Sequence, residues 1–211
     1  MWTECDGMGE WCDFPAGKRP SIPVSLPGAH APWPPVWEGR AMTSAADLVT
    51  ARLRLRAPEP ADVAAYHRLW TSADVRRHLG GPVAADRLPA YERSLATTPH
   101  LFSVVTADDG VMIGSVVIDP GSRFEARREL SYQFLPEHWG RGYAREAVRA
   151  LLAWAFTAVP SPDPSIIAVT QVANTRSRGL LESLGMRRVE TFEEFGEPQA
   201  MYALTAPDLR G

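Results

Sequence analysis

The chain has 211 residues and a formal net charge of -3. That length suits one domain of about 150–170 residues with a tail. The near-neutral balance leaves no electrostatic footprint for nucleic acid, and no apolar run approaches the ~20 residues that span a bilayer. Lys18 is the only lysine beside 21 arginines, which reads as coding bias. Cys5 and Cys12 are the only cysteines. The rest of the chain therefore has neither a disulfide frame nor a thiolate nucleophile. The start lacks the charged and apolar regions of a signal peptide, and a cytoplasmic location is expected.

Residues 1–46 differ in kind from the rest. They hold seven of the 19 prolines and four of the seven tryptophans, and no helical or strand period runs through them. Pro32-Trp33-Pro34-Pro35 favours extended backbone. The expectation is a disordered tail, or sequence upstream of a true start at Met42. A docking segment is the alternative. A metal site at Cys5 and Cys12 fits poorly, because the spacing is wide and no histidine lies nearby.

From residue 47 the pattern is that of one domain. Arg52–Arg56 alternates as a first strand. Pro58 and Pro60 end it, and Asp62 suits an N-cap or first-turn acid for a helix through Leu69 and Trp70. Ser72–Leu79 reads as a second short helix and Ala84–Ala96 as a third. Leu101–Thr106 and Val111–Ile118 are β-branched and apolar around Asp108-Asp109-Gly110, a hairpin signal. Arg127–Phe134 alternates as the next strand, and Pro136 ends its ladder. A helix follows over Gly142–Ala158, stopped by Pro160. Ile166–Val172 reads as a buried strand, Asn174 caps a helix that ends at Gly185, and Arg187–Phe192 and Gln199–Leu204 close the chain as strands.

The turn between Arg127–Phe134 and the long helix carries the functional signal. A helix N-terminus favours acids, yet this one starts with Arg141 and Arg145, a conflict worth up to ~1 kcal/mol each. A bound phosphate removes it. Gly140 and Gly142 have no Cβ, so an anion can approach the backbone closely. The plainer alternative is an ordinary glycine turn with solvated arginines. A P-loop is excluded, because no lysine exists outside the tail. A dinucleotide fingerprint is weak, because the third small residue is missing and the turn follows a hairpin. A mixed sheet that delivers a pyrophosphate onto the helix fits better.

At these residues the chain resembles the GNAT superfamily of N-acetyltransferases, and most of all its ribosomal-protein-alanine N-acetyltransferase branch. The resemblance spans about Val49 to Leu204. Five motifs agree in order: Thr50 through Arg56, Ser72 through Gly81, Met112 through Ser115, Pro136 through Ala147, and Asn174 through Ser177 with Leu184-Gly185-Met186. It implies a mixed α+β fold with about seven strands, mostly antiparallel, splayed at the centre and flanked by helices. It implies acetyl-CoA as acyl donor and no metal. The pyrophosphate would lie on Gly140, Arg141, Gly142, Tyr143, Ala144 and Arg145, with main-chain N–H groups as donors. Pantetheine would pair with the backbone at Gln133 and Phe134, an amide near Phe134 would polarise the thioester carbonyl, and Asn174 would contact the pantetheine arm. Tyr143 is expected to matter through its backbone.

The implied chemistry is direct attack by an amine, which must first lose a proton. Glu129 is the candidate base; the alternative is that it only pairs with Arg127, Arg128 or another arginine. Glu125 is a second candidate. The tyrosine that often serves as acid elsewhere in the superfamily is absent, because Leu181 stands in its place. Ser177 is the candidate acid or hydrogen-bond donor to the thiolate, against a plain first-turn polar residue. Tyr66, Trp70 and His78 could line the acceptor side, with core packing as the default. The acceptor would be a protein N-terminus or a small-molecule amine, and dimers are common among such enzymes, so a homodimer is an option. The competing function is a catalytically silent acyl-CoA-binding module.

Overall fold

In the computed structural model every segment with a period-two pattern is a strand. The structure describes residues 47–122, 124 and 127–210. The expectations for the 1–46 tail, its two cysteines and Glu125 lie outside the described residues.

The strands are β1 (Leu48–Val49), β2 (Leu53–Arg56), β3 (Leu101–Thr106), β4 (Met112–Asp119), β5 (Arg128–Phe134), β6 (Ile166–Gln171), β7 (Arg187–Glu194) and β8 (Glu197–Leu204). The helices are α1 (Val63–Thr71), α2 (Ala73–Arg76), α3 (Leu88–Leu95), α4 (Tyr143–Ala158) and α5 (Thr175–Ser183). Among the described residues all eight strands form one sheet in the order β1-β2-β3-β4-β5-β6-β8-β7. The two-residue β1, antiparallel to β2 through Leu48↔Leu55 and Val49↔Arg54, is the strand the sequence pattern is too short to signal.

Two helical stretches are shorter than their patterns suggest. The second helix stops at Arg76, because the Arg76 guanidinium bonds the Leu79 and Gly81 carbonyls and closes the chain into a turn. The third opens with a 3-10 turn, Ala85–Arg87, before α3. Asp62 stands at the expected N-cap position of α1. Its side chain does not cap α1; it accepts from the Glu59 N–H at 2.9 Å and from both terminal nitrogens of Arg56.

The sheet separates two apolar layers. On one face α4 and α5 bury Val148, Leu151, Leu152 and Leu181 against Leu53, Ile113, Leu130, Phe134 and Ile166. On the other, α1 and α3 bury Tyr66, Leu69, Trp70 and Leu95 against Met112 and Leu135. A strand covered on both faces needs no polar side, which is why β3 is buried almost throughout.

Pairing fails at one place. Every neighbouring pair is antiparallel except β5 and β6, which run parallel and pair only at Arg128↔Ile166 and Glu129↔Ile167. Beyond Glu129 the two strands part, so the sheet is open at its centre along Leu130–Phe134. Arg128 holds the closed end. It is 4% exposed, and its guanidinium donates to the carbonyls of Ala155 and Val159 at the end of α4 and of Asp163, Pro164 and Ser165 before β6.

Candidate active site

The hydrogen-bond phase of β4 and β5 decides which main-chain groups face the opening. The Leu135 N–H donates to the Ile113 carbonyl at 2.9 Å, while Phe134 stands opposite Gly114. Phe134 and Gly114 are therefore a non-hydrogen-bonded pair, and the amide and carbonyl of Phe134 point away from β4. By alternation those of Tyr132 and Leu130 do the same. Gln133, the other expected pantetheine position, is turned the opposite way, with its main chain committed to Ser115 of β4. Its side chain remains: Gln133 Oε1 is buried without a hydrogen-bond partner among the described residues. Gly114 permits this geometry. A Cβ there would stand 2.5 Å from the Gln133 carbonyl oxygen and 2.6 Å from Phe134 Cδ1.

The opening runs directly onto the glycine turn. Gly140 and Gly142 have φ of 74° and 79°, a region that strains residues carrying a Cβ. Gly142 is the N-cap of α4, so no side chain caps the first turn. The first-turn amides, from Tyr143 onward, are thereby left for an external acceptor. Ala144 packs on the core below, Arg141 is exposed and Arg145 is half-buried.

Arginines from distant segments converge on this turn. Arg52 of the entry to β2 donates to the Arg141 carbonyl at 3.0 Å, and its guanidinium lies 4.7 Å from the centre of the Tyr143 ring. The charge conflict at the helix start is smaller than the sequence suggests, because Glu146 also lies in the first turn. Burial pushes the Glu146 carboxyl up, but bonds from Thr50 and Arg52 outweigh it and hold the group below its ordinary value. Since Arg52 balances Glu146, the exposed Arg141 still leaves the turn electropositive. Trp139 closes the near side. Its Nε1 donates to the Phe134 carbonyl at 2.8 Å, and Arg176 of α5 lies 4.8 Å from its ring centre.

The far wall is the start of α5. Asn174 caps it, its Oδ1 accepting from the Ser177 N–H at 3.2 Å, which leaves the amide NH2 as a donor. Ser177 Oγ lies 2.8 Å from the phenol oxygen of Tyr132. Leu181 is in the core. Glu129 sits where β5 and β6 still pair and is 8% exposed. Tyr66 and Trp70 belong to the core under α1, the default for both. His78 instead stands at the end of β6, its Nδ1 2.8 Å from Gln171 Oε1. An open recess of about 290 Å³ lies between Arg68, Thr71 and Ser72 of the α1–α2 corner and Leu135, Pro136 and Glu137.

Three residues at this site carry no local sequence signal. Arg52 is 89 residues from Arg141 along the chain, Arg176 is an ordinary helix-surface arginine, and Tyr132 shares the apolar face of Leu130 and Phe134 and reads as core. Among the described residues no His, Cys, Asp or Glu cluster is placed to hold a metal, and no helix is long and apolar enough to cross a membrane.

An open strand pair that feeds an uncapped, glycine-lined helix start is a form with known relatives. The family model described as an acetyltransferase (GNAT) domain matches residues 52–187. The chain belongs to the GNAT family of acetyltransferases. Among curated relatives, an uncharacterised N-acetyltransferase of Bacillus licheniformis, p20, is 28% identical over 148 residues, 67% of this chain and 82% of that protein. Among solved structures, an acetyltransferase from Agrobacterium tumefaciens superposes with a TM-score of 0.65 at 28% identity, over 76% of this chain and 95% of that one. The spermidine N-acetyltransferase of Vibrio cholerae, solved with CoA and spermine, has a TM-score of 0.64 at 21% identity, over 75% of this chain and 98% of that one, a likeness of fold. The GNAT chain thus has the expected mixed α+β architecture, with an eighth, two-residue strand at the sheet edge.

Proposed function

We propose that this GNAT protein transfers the acetyl group of acetyl-CoA to a primary amine by direct attack in a ternary complex. The observation that carries the reading is the alignment of the Phe134 amide, facing the open strand pair, with the uncapped first turn of α4. Acetyl-CoA, when bound, supplies a thioester activated for aminolysis. The chain's residues have separate tasks. The amides from Gly140 to Arg145, with Arg52 and Arg141 beside them, hold the pyrophosphate. The Phe134 N–H polarises the thioester carbonyl, a contact that Gln133 cannot make through its main chain. The NH2 of Asn174 steadies the pantetheine arm.

Amine deprotonation is assigned to Glu129 through a chain of water, because five residues of strand, about 16 Å, separate it from Phe134. By alternation with Leu130, Tyr132 and Phe134, which pack in the layer of α4 and α5, it lies on the opposite face, beside Ser131 and Gln133. The acceptor approaches on that face, from the recess at Leu135–Glu137 and past His78. The Arg68–Glu137 ion pair at that recess is half exposed and so opens at little cost. Direct transfer is favoured because no cysteine lies within the domain to carry the acyl group. The acceptor class proposed is an amine of a protein N-terminus or of a small molecule, and the domain is residues 47–211.

The test is calorimetric titration with acetyl-CoA, with dephospho-CoA and NADH as controls. Thiol release is then assayed with spermidine, kanamycin and an alanine-initiated peptide. Saturable binding to acetyl-CoA and thiol release with at least one amine is the expected outcome. Absence of binding by the folded protein would overturn the assignment, and binding without thiol release would favour a silent acyl-CoA module.

A further inference from the structure

Past Glu129 the main chains of β5 and β6 separate, yet one side-chain contact still ties β5 to the segment after β6. Tyr132 reaches 45 residues along the chain to Ser177 in the first turn of α5, oxygen to oxygen at 2.8 Å. We propose that Tyr132 is a positioning residue: its phenol donates to Ser177 Oγ, which turns the serine's own proton toward the opening, where the leaving sulfur develops charge. The inference rests on the acetyl-transfer reading and gives Ser177 the partner that makes it a directed donor.

The direction of the bond follows from counting protons. Each hydroxyl has one. If Ser177 donated to the phenol, the phenol proton would have only the Ser177 carbonyl oxygen to meet, at 3.5 Å, beyond the range of an O–H bond. A partly buried donor without a protein partner carries a cost. With the phenol donating to Oγ, the proton left over is the serine's, and that proton can turn into the open strand pair, where water or a ligand meets it. Burial pushes the Tyr132 phenol up to about 12, against the pull of the Ser177 bond, so it stays neutral and protonated at any working pH. Ser177 itself sits in the first turn of α5, where the helix dipole also favours a developing anion.

The step balances without any further reactant. The amine nitrogen bonds to the acyl carbon, the C–S bond breaks, and the electron pair leaves on sulfur. The amine proton goes through water to Glu129. Ser177 donates a hydrogen bond and keeps its proton, because a thiol ionises near about 8.5, far below a serine hydroxyl. Solvent supplies the thiol proton at release. Two hydroxyls in series polarise one another, so the second donates more strongly. Leu181 stands where the wider superfamily often carries its tyrosine; here a phenol enters from the opposite wall and acts through serine.

The experiment uses the full chain, acetyl-CoA and the fastest amine of the panel above. Tyr132→Phe removes one oxygen. Its kcat should fall about 10–100-fold, with the acetyl-CoA Kd within about twofold and the melting temperature within a few degrees. Ser177→Ala should lose at least as much, and the double variant no more than Ser177→Ala, because both act through one proton. Unchanged kcat in Tyr132→Phe overturns the inference, as does a rise in Kd that tracks a loss of melting temperature, the mark of a purely structural clasp. Should Tyr132→Phe not fold, unchanged kcat in Ser177→Ala overturns it equally. Failure of the wild-type protein to bind acetyl-CoA sinks the acetyl-transfer reading itself and is seen before any variant is made.

Discussion

Replacing Arg128 with methionine should destabilise the protein by about 3 kcal/mol. The residue keeps the opening in the sheet shut at one end, yet it touches no expected ligand. Its guanidinium lies 2.9–3.3 Å from five carbonyl oxygens. A hydrogen bond to a charged group contributes about 1.5–3 kcal/mol, but five acceptors share two nitrogens here. Only the bonds to Pro164 and Val159, at 2.9 and 3.1 Å, are short enough to count fully. They amount to about 4 kcal/mol, and the cation adds a favourable term at the C-terminus of α4. Against this stands the cost of burying the charge, which lowers the Arg128 pKa. The balance is about 3 kcal/mol, or roughly 6–12 °C in melting temperature for a domain of this size. Methionine fills the space of the stem and satisfies none of the carbonyls. Urea unfolding followed by tryptophan fluorescence, with a thermal melt by circular dichroism, measures the loss. Lysine, with one nitrogen, should lose about half as much. A methionine variant within 1 kcal/mol of wild type would refute the reasoning, since desolvation would then cancel the bonds.

Three further outcomes are expected. Gly142→Asp places a carboxylate at a φ of 79°, at the N-cap of α4; it should weaken acetyl-CoA binding at least tenfold by calorimetry, and unchanged affinity would show that the pyrophosphate binds elsewhere. Gly114→Ala drives a methyl group into the Gln133 carbonyl and the Phe134 ring; it should cost about 2–3 kcal/mol in urea unfolding, and a neutral result would mean that β4 and β5 separate freely. Asp62→Asn should cost about 3 kcal/mol at pH 7 and flatten the acid limb of stability. Burial pushes the Asp62 carboxyl up, but Arg56, the Glu59 N–H and Ser103 together hold it below its ordinary value. Its contribution is therefore full above the unfolded pKa and is lost as pH falls through the folded one, on the acid side of the ordinary aspartate range. Denaturant midpoints of both proteins across that range measure it; parallel curves would exclude Asp62 as the source.

What the sequence determined by itself is local and periodic. Alternation set β2 and β5, apolar β-branched runs set β3, β4 and β6, the 3.6-residue repeat set α4, and the Asn174 cap and Gly185 stop bounded α5, because these signals arise between residues a few positions apart. The glycine turn was legible for the same reason: Gly140 and Gly142 are adjacent to the helix they open. Only the tertiary structure decided which groups face one another. Whether Phe134 or Gln133 offers its amide to the opening depends on the register of β5 on β4, and one residue of slip would exchange them. Arg128 reads as a strand-end arginine until α4 and the 163–165 loop bring five carbonyls to it. Tyr132 reads as core until α5 places Ser177 against its hydroxyl. Each of these is set by chain crossings of 20 to 45 residues, and no sequence window of a helix or a strand records where a distant segment packs.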